Sequence, residues 1–197
     1  MTKAEHFSPV YTERNDRVYN AALTLTAIFI AFAVIATLIC GTVPAIGEIM
    51  SDAASTSANS YTVLSVSELF ADSFSSSISE LTVIAVIFII SFSLFFDSLA
   101  RLICAIRGFT FGSLLYYVLS IAFGNYVVLL QFVAMVINSA IIITCCSLCS
   151  IVNKNLMRAH HTKNRRTFFR ACVTDLLILC VSCGAICTVN ILKLLLT

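Results

Sequence analysis

Long apolar runs alternate with short polar segments along the chain, and only the stretch from residue 45 to 80 interrupts that rhythm for long. Val18 to Val43 carries no charge over a length sufficient to cross a bilayer, for which a helix needs about 20 apolar residues. Leu81 to Phe96 reads as a second span, its helix running on through Asp97 and Arg101 toward Arg107. Phe109 to Gly124 is a third and short one, Tyr126 to Val152 a fourth and Ala171 to Leu196 a fifth. The pattern predicts an all-α fold, a polytopic membrane bundle of five transmembrane helices. A cytoplasmic segment, residues 1–17, precedes a single membrane domain, residues 18–197, with an external loop at 44–80 and a cytoplasmic basic loop at 153–170. The first half of the external loop is rich in Ser, Ala and Thr. Its second half sets Leu64, Val66, Phe70, Phe74, Ile78 and Leu81 at near-helical spacing, which predicts an amphipathic helix leading into span two. The first apolar run exceeds the core of a cleaved signal peptide and reads as a retained anchor.

Composition agrees with this pattern: 59% of residues are hydrophobic, 11% are charged, and the mean hydropathy is +0.99. A soluble domain carries roughly 25% charged residues, so a water-soluble enzyme is excluded. A net charge of +2 is too small to point to nucleic acid. The placement of charge says more than its total. No Lys or Arg lies between Arg17 and Arg101, an interval that holds Glu48, Asp52, Glu68, Asp72 and Glu80. Six of the twelve cations fall between Lys154 and Arg170. With the N-terminus inside, eleven of the twelve, all but Lys193, lie on the cytoplasmic side. Five crossings, N-in and C-out, follow. The bilayer is therefore one expected partner, and the basic segment around His160 and His161, with Phe168 and Phe169, reads as an interfacial connector drawn to anionic lipid.

Candidate chemistry is sparse. Nine cysteines include two C-x-x-C pairs, Cys146/Cys149 and Cys180/Cys183. Counted at about 1.5 Å per residue, the pairs sit at different depths and do not converge as a four-ligand zinc site requires. They read as small packing residues, and no cofactor or metal is expected. Asp97 and Arg101, spaced i, i+4, are placed to neutralise each other. Asp175, one turn into span five, could face Arg170 or Arg101. Gln131 and Asn138 lie seven apart on one face of span four, where amides must find partners on neighbouring helices. Asn190 is a third such group. Gly108 and Gly112 have G-x-x-x-G spacing, which lets a second backbone approach closely. No nucleophile elbow, phosphate loop or paired-carboxylate arrangement occurs, so the reading is non-enzymatic. The residues expected to serve helix packing or a partner interface are Asp97, Arg101, Arg107, Gly108, Gly112, Gln131, Asn138 and Asp175.

Ser91-Phe92-Ser93-Leu94-Phe95, then Arg107-Gly108-Phe109-Thr110-Phe111-Gly112, then the turn Gly124-Asn125-Tyr126 before a long span with Gln131, resemble elements of the stage II sporulation protein M family. The resemblance covers roughly residues 81–150; it departs where many members have a proline near that turn. It implies a five-span bacterial cytoplasmic-membrane protein without enzymatic activity. Such a protein assembles peptidoglycan hydrolases or other membrane and envelope proteins during cell-wall remodelling in sporulation, and homo-oligomers are compatible with it. The alternative is a membrane subunit of a transport or export system, with a polar pathway through Gln131, Asn138 and Asn190.

Overall fold

The computed structural model describes residues 9–43, 66–120, 126–161 and 165–196, and among these residues every regular element is a helix. The helices are α1 (Pro9–Thr42), α2 (Val66–Ser91), α3 (Phe96–Ser120), α4 (Tyr126–His161) and α5 (Arg165–Leu196). Four carry stretches long and apolar enough to cross a membrane: Val18–Thr42, Phe96–Leu119, Leu129–Met157 and Arg165–Lys193. This is the build of a multi-pass membrane protein. In α2, a helix of 26 residues, the described apolar part is Ser77–Ser91.

Inter-helix contacts define the arrangement. Gly108 and Gly112 of α3 meet Phe29 and Ala33 of α1 in the same order along both helices, so these two helices run parallel. Asp97 meets Ser150, and Phe111 stacks on Phe132, which sets α4 antiparallel to α3. Ser77 and Ser91 of α2 meet Asn190 and Asp175 of α5, again antiparallel. The five helices therefore alternate in direction along the chain. The most extensive pairings are α1 with α3, α4 with α5 and α2 with α5. All five contribute to one core: Leu25, Ile84, Ile87, Phe96, Cys104, Ile142, Cys146, Leu179 and Ile186 among others. Over the 18 apolar residues compared in each stretch, α4 is the most enclosed, 44% of them being buried against 22% in α1 and in α5.

Several expectations need correction. The helix of span two does not run on into Asp97; it stops at Ser91, and residues 92–95 form a turn. Two local bonds make the stop: Phe95 N–H donates to Ser93 Oγ (3.1 Å), and Ser93 N–H to the Ile90 carbonyl (2.8 Å). Span three accordingly begins at Phe96 rather than Phe109, and carries Asp97, Arg101 and Arg107 on its own length. That is why it is the least apolar of the four, with a mean hydropathy of 1.6. Arg107 lies halfway along α3 and leaves the set of loop cations. Much of the expected loop at 153–170 is helix, since α4 continues to His161 and α5 starts at Arg165. From Val66 onward the expected external loop is also helix, as its spacing predicted; residues 44–65 and 121–125, with the Gly124-Asn125 part of the expected turn, lie outside the described residues.

Candidate functional site: polar contacts within the bundle

Gly108 and Gly112 form the closest helix contact. A Cβ on Gly108 would overlap the carbonyl oxygen of Phe29, and one on Gly112 that of Ala33. With no side chain in the way, the backbones touch, and Thr37 Oγ1 reaches across at 3.0 Å from the Gly112 carbonyl while also lying 2.9 Å from that of Ala33. Phe29 and Phe111 close the seam, their ring centroids 5.3 Å apart.

Beside the glycines, Arg107 Nη1 donates to Glu80 Oε1 at 2.9 Å, and the second nitrogen and oxygen complete a two-point ion pair. Both side chains are only 12–13% exposed. Only the first contact has hydrogen-bond geometry; Glu80 Oε2 itself makes no hydrogen bond. Glu80 did not stand out in the sequence, where it ends the external segment as one acid among several.

The broken end of α2 is held from two sides. Asn153 Nδ2 donates to the carbonyls of Ser91 and Ser93, the second at 3.1 Å. The Ser91 hydroxyl lies within bonding reach of the Phe88 carbonyl (2.8 Å) and donates to Asp175 Oδ2. Asp175 is 2% exposed, and its Oδ1 makes no hydrogen bond. It faces neither Arg170 nor Arg101, as the sequence suggested, because its side chain points inward to α2 while Arg170 is exposed.

Asp97 and Arg101 do not neutralise each other. Asp97 accepts from Ser150 Oγ at 2.6 Å and stands 3.4 Å from Lys154 Nζ, so the acid is bound to α4 rather than to its own helix. Arg101 is exposed and makes no ion pair with any described residue. Further along the bundle, Asn138 Nδ2 donates to Asn190 Oδ1 (3.3 Å) and Asn190 Nδ2 to Ser77 Oγ (2.8 Å), joining α4, α5 and α2. Asn138 Oδ1 and Ser139 Oγ are buried without a hydrogen bond. Gln131 is half-buried and stays out of this row.

Every described cysteine is a free thiol, and Cys104, Cys145, Cys146 and Cys149 are buried in the core. Cys104 of α3 faces Cys146 of α4, a cross-helix pairing that the C-x-x-C spacings did not suggest. Among the described residues, no three His, Cys, Asp or Glu side chains gather as a metal-binding group.

No protein-family model, curated protein or solved structure matches this chain. The likeness to the stage II sporulation protein M family thus rests on its short motifs. In the structure, Arg107, Gly108 and Gly112 of those motifs are engaged in packing α3 against α1 and α2. Glu80, Ser77, Ser91, Ser150 and Asn153 belong to the polar set and were missed by sequence reasoning. Asn153 alone left a signal, as an amide near the end of an apolar run.

Proposed function

We propose that the chain is a non-enzymatic scaffold of a bacterial cytoplasmic membrane that recruits or assembles other membrane and envelope proteins. In this reading all five helices cross, N-in and C-out; the alternating directions and the seating of α2 against α5 support the fifth crossing. One observation carries the proposal: several buried polar side chains pair with one another across helix boundaries. Arg107–Glu80, Ser91–Asp175, Asn153 on the α2 end and the Asn138–Asn190–Ser77 row all fasten helix to helix. Such bonds favour a rigid frame, while the outer faces of α1 and α5 present exposed apolar residues, Leu38 and Val181 among them, to lipid or a partner. Peptidoglycan hydrolases, the partner class implied by the motif likeness, come first for testing. Quantitative mass spectrometry of the tagged protein extracted from native membranes in mild detergent should recover an envelope partner in near-stoichiometric amount. Recovery of the chain alone would refute the scaffold.

A transport or export subunit is the second reading. The Asn138–Asn190–Ser77 row favours it, because Asn138 Oδ1 and Ser139 Oγ remain unbonded inside the bundle. Replacing Asn138 and Asn190 together by Leu should then abolish an export phenotype at normal membrane abundance. An unchanged phenotype would remove this reading.

A further inference from the structure

One end of the bundle holds a polar crevice of about 290 Å³ between α1, α3 and α4, lined by Asn20, Thr24, Asp97, Arg101, Ser150 and Lys154. Its floor is apolar, made by Ala21, Leu25 and Ala100. Two cations against one carboxylate leave one net positive charge in it. The carboxylate is already occupied: Asp97 accepts from Ser150 at 2.6 Å and faces Lys154 at 3.4 Å. The Lys154 ammonium has three donors and gives only part of that capacity to Asp97. Arg101, with five donors, meets no acidic partner among the described residues, and Thr24 spends its hydroxyl on the Asn20 carbonyl (2.8 Å). Surplus positive donors over an apolar floor match an anion that carries a hydrocarbon body.

The level of the crevice narrows the choice. The apolar stretches of α1 and α3 begin at Val18 and Phe96, and that of α4 ends at Met157, so Asn20, Asp97, Arg101 and Lys154 lie in terminal turns at one end of the bundle. At the same end, Arg165, Arg166, Phe168, Phe169 and Arg170 are all exposed on the first turns of α5, the mixture of aromatic and basic groups that suits a membrane interface. Basic pockets between membrane helices at this depth take lipid phosphates.

We infer that the crevice between α1, α3 and α4 is a specific site for the phosphate headgroup of an anionic phospholipid, bound by Arg101 and Lys154, with Asn20 as a further donor and the start of the lipid's apolar body over Leu25 and Ala100. This goes beyond diffuse attraction of the basic α4–α5 connection to a charged surface, since it assigns one lipid to one crevice. It rests on the reading of the chain as membrane-spanning and is independent of the scaffold proposal.

The test uses the full chain purified in mild detergent, with phosphatidylglycerol and phosphatidylcholine as probes and native mass spectrometry to count retained lipid. The wild type should keep one phosphatidylglycerol in preference to phosphatidylcholine. Arg101→Gln should weaken that retention about tenfold, as the loss of a charge-assisted bond would, whereas Arg101→Lys retains much of it. Arg166→Gln, at the same end but outside the crevice, should leave it unchanged. Each variant's melting temperature in phosphatidylcholine confirms that it is folded. Equal retention of the two lipids by the wild type, or equal loss in Arg101→Gln and Arg166→Gln, would overturn the site. A third arm adds inorganic phosphate and glycerol phosphate; displacement of the lipid by either at low millimolar concentration would reassign the crevice to a soluble phosphate and overturn the lipid claim.

Discussion

An added methyl group meets different neighbours at Gly112 and at Gly184. At Gly112 it would overlap the Ala33 backbone, which no rotamer change can relieve; at Gly184 it meets nothing within 4 Å. Gly112→Ala should therefore lower stability by about 1–3 kcal/mol, the usual range for overpacking. Gly184→Ala should raise it by up to about 1 kcal/mol through helix propensity. Denaturation in a mixed-detergent titration checks both. Asp175 gives a second residue-scale prediction. Asp175→Asn keeps an acceptor for Ser91 and should hold stability close to that of the wild type, while Asp175→Ala should lose about 1–3 kcal/mol by leaving buried polar groups without a partner. The close-packing role of Gly108 and Gly112 was legible, because small residues one turn apart allow backbone contact wherever they fall. Their partner was not. Phe29 and Ala33 are far away in sequence, and nothing local to them distinguishes them from the rest of an apolar run.

The joint between α2 and α3 is the element whose structure departs most from its sequence pattern. No Gly or Pro occurs from Leu81 to Arg107, so local propensity favours one continuous helix. Beyond the local bonds at Ser93, the break is held by a residue far along the chain: Asn153 donates to the Ser91 and Ser93 carbonyls. Asn153→Leu should cost about 1–3 kcal/mol for the carbonyls released and speed amide exchange around residues 88–96. The turn also brings Glu80 back against Arg107. Removing one partner of a buried pair leaves the other uncompensated, so Arg107→Gln or Glu80→Gln alone should destabilise by about 3–5 kcal/mol. Replacing both by apolar residues should cost less than the sum of the two single changes, and a double-mutant cycle in detergent reads the difference.

At the scale of the whole molecule, the number of crossings depends on α2. This helix of 26 residues lies antiparallel to α5 and contributes Ile84 and Ile87 to the shared core. If all five helices cross, reporter fusions at residues 60 and 123 and at the C-terminus should report the outer side, and a fusion at residue 94 the inner. If α2 lay along the surface, the fusion at 94 would report the outer side, while those at 123 and at the C-terminus would report the inner side. Arg107 no longer supports the orientation, since it is paired within the bundle. Arg101, Lys154 and the Arg165–Arg170 cluster at one end still do.

The helical class, the number of described helices and the membrane character are legible in the sequence alone, whereas the start of the third helix, at Phe96 rather than Phe109, is not. Length and unbroken apolarity are properties of contiguous residues, and they need no partner to be read. Tertiary structure decided where the second helix ends, which charges meet and which surface remains unpaired. Asp97 chose Lys154 over Arg101, Arg107 chose Glu80, and Asp175 chose Ser91. In an apolar bundle, polar groups take the nearest partner that the helix arrangement presents, whatever its separation along the chain. That same sorting leaves Arg101 exposed in its crevice, available to a ligand from outside the chain.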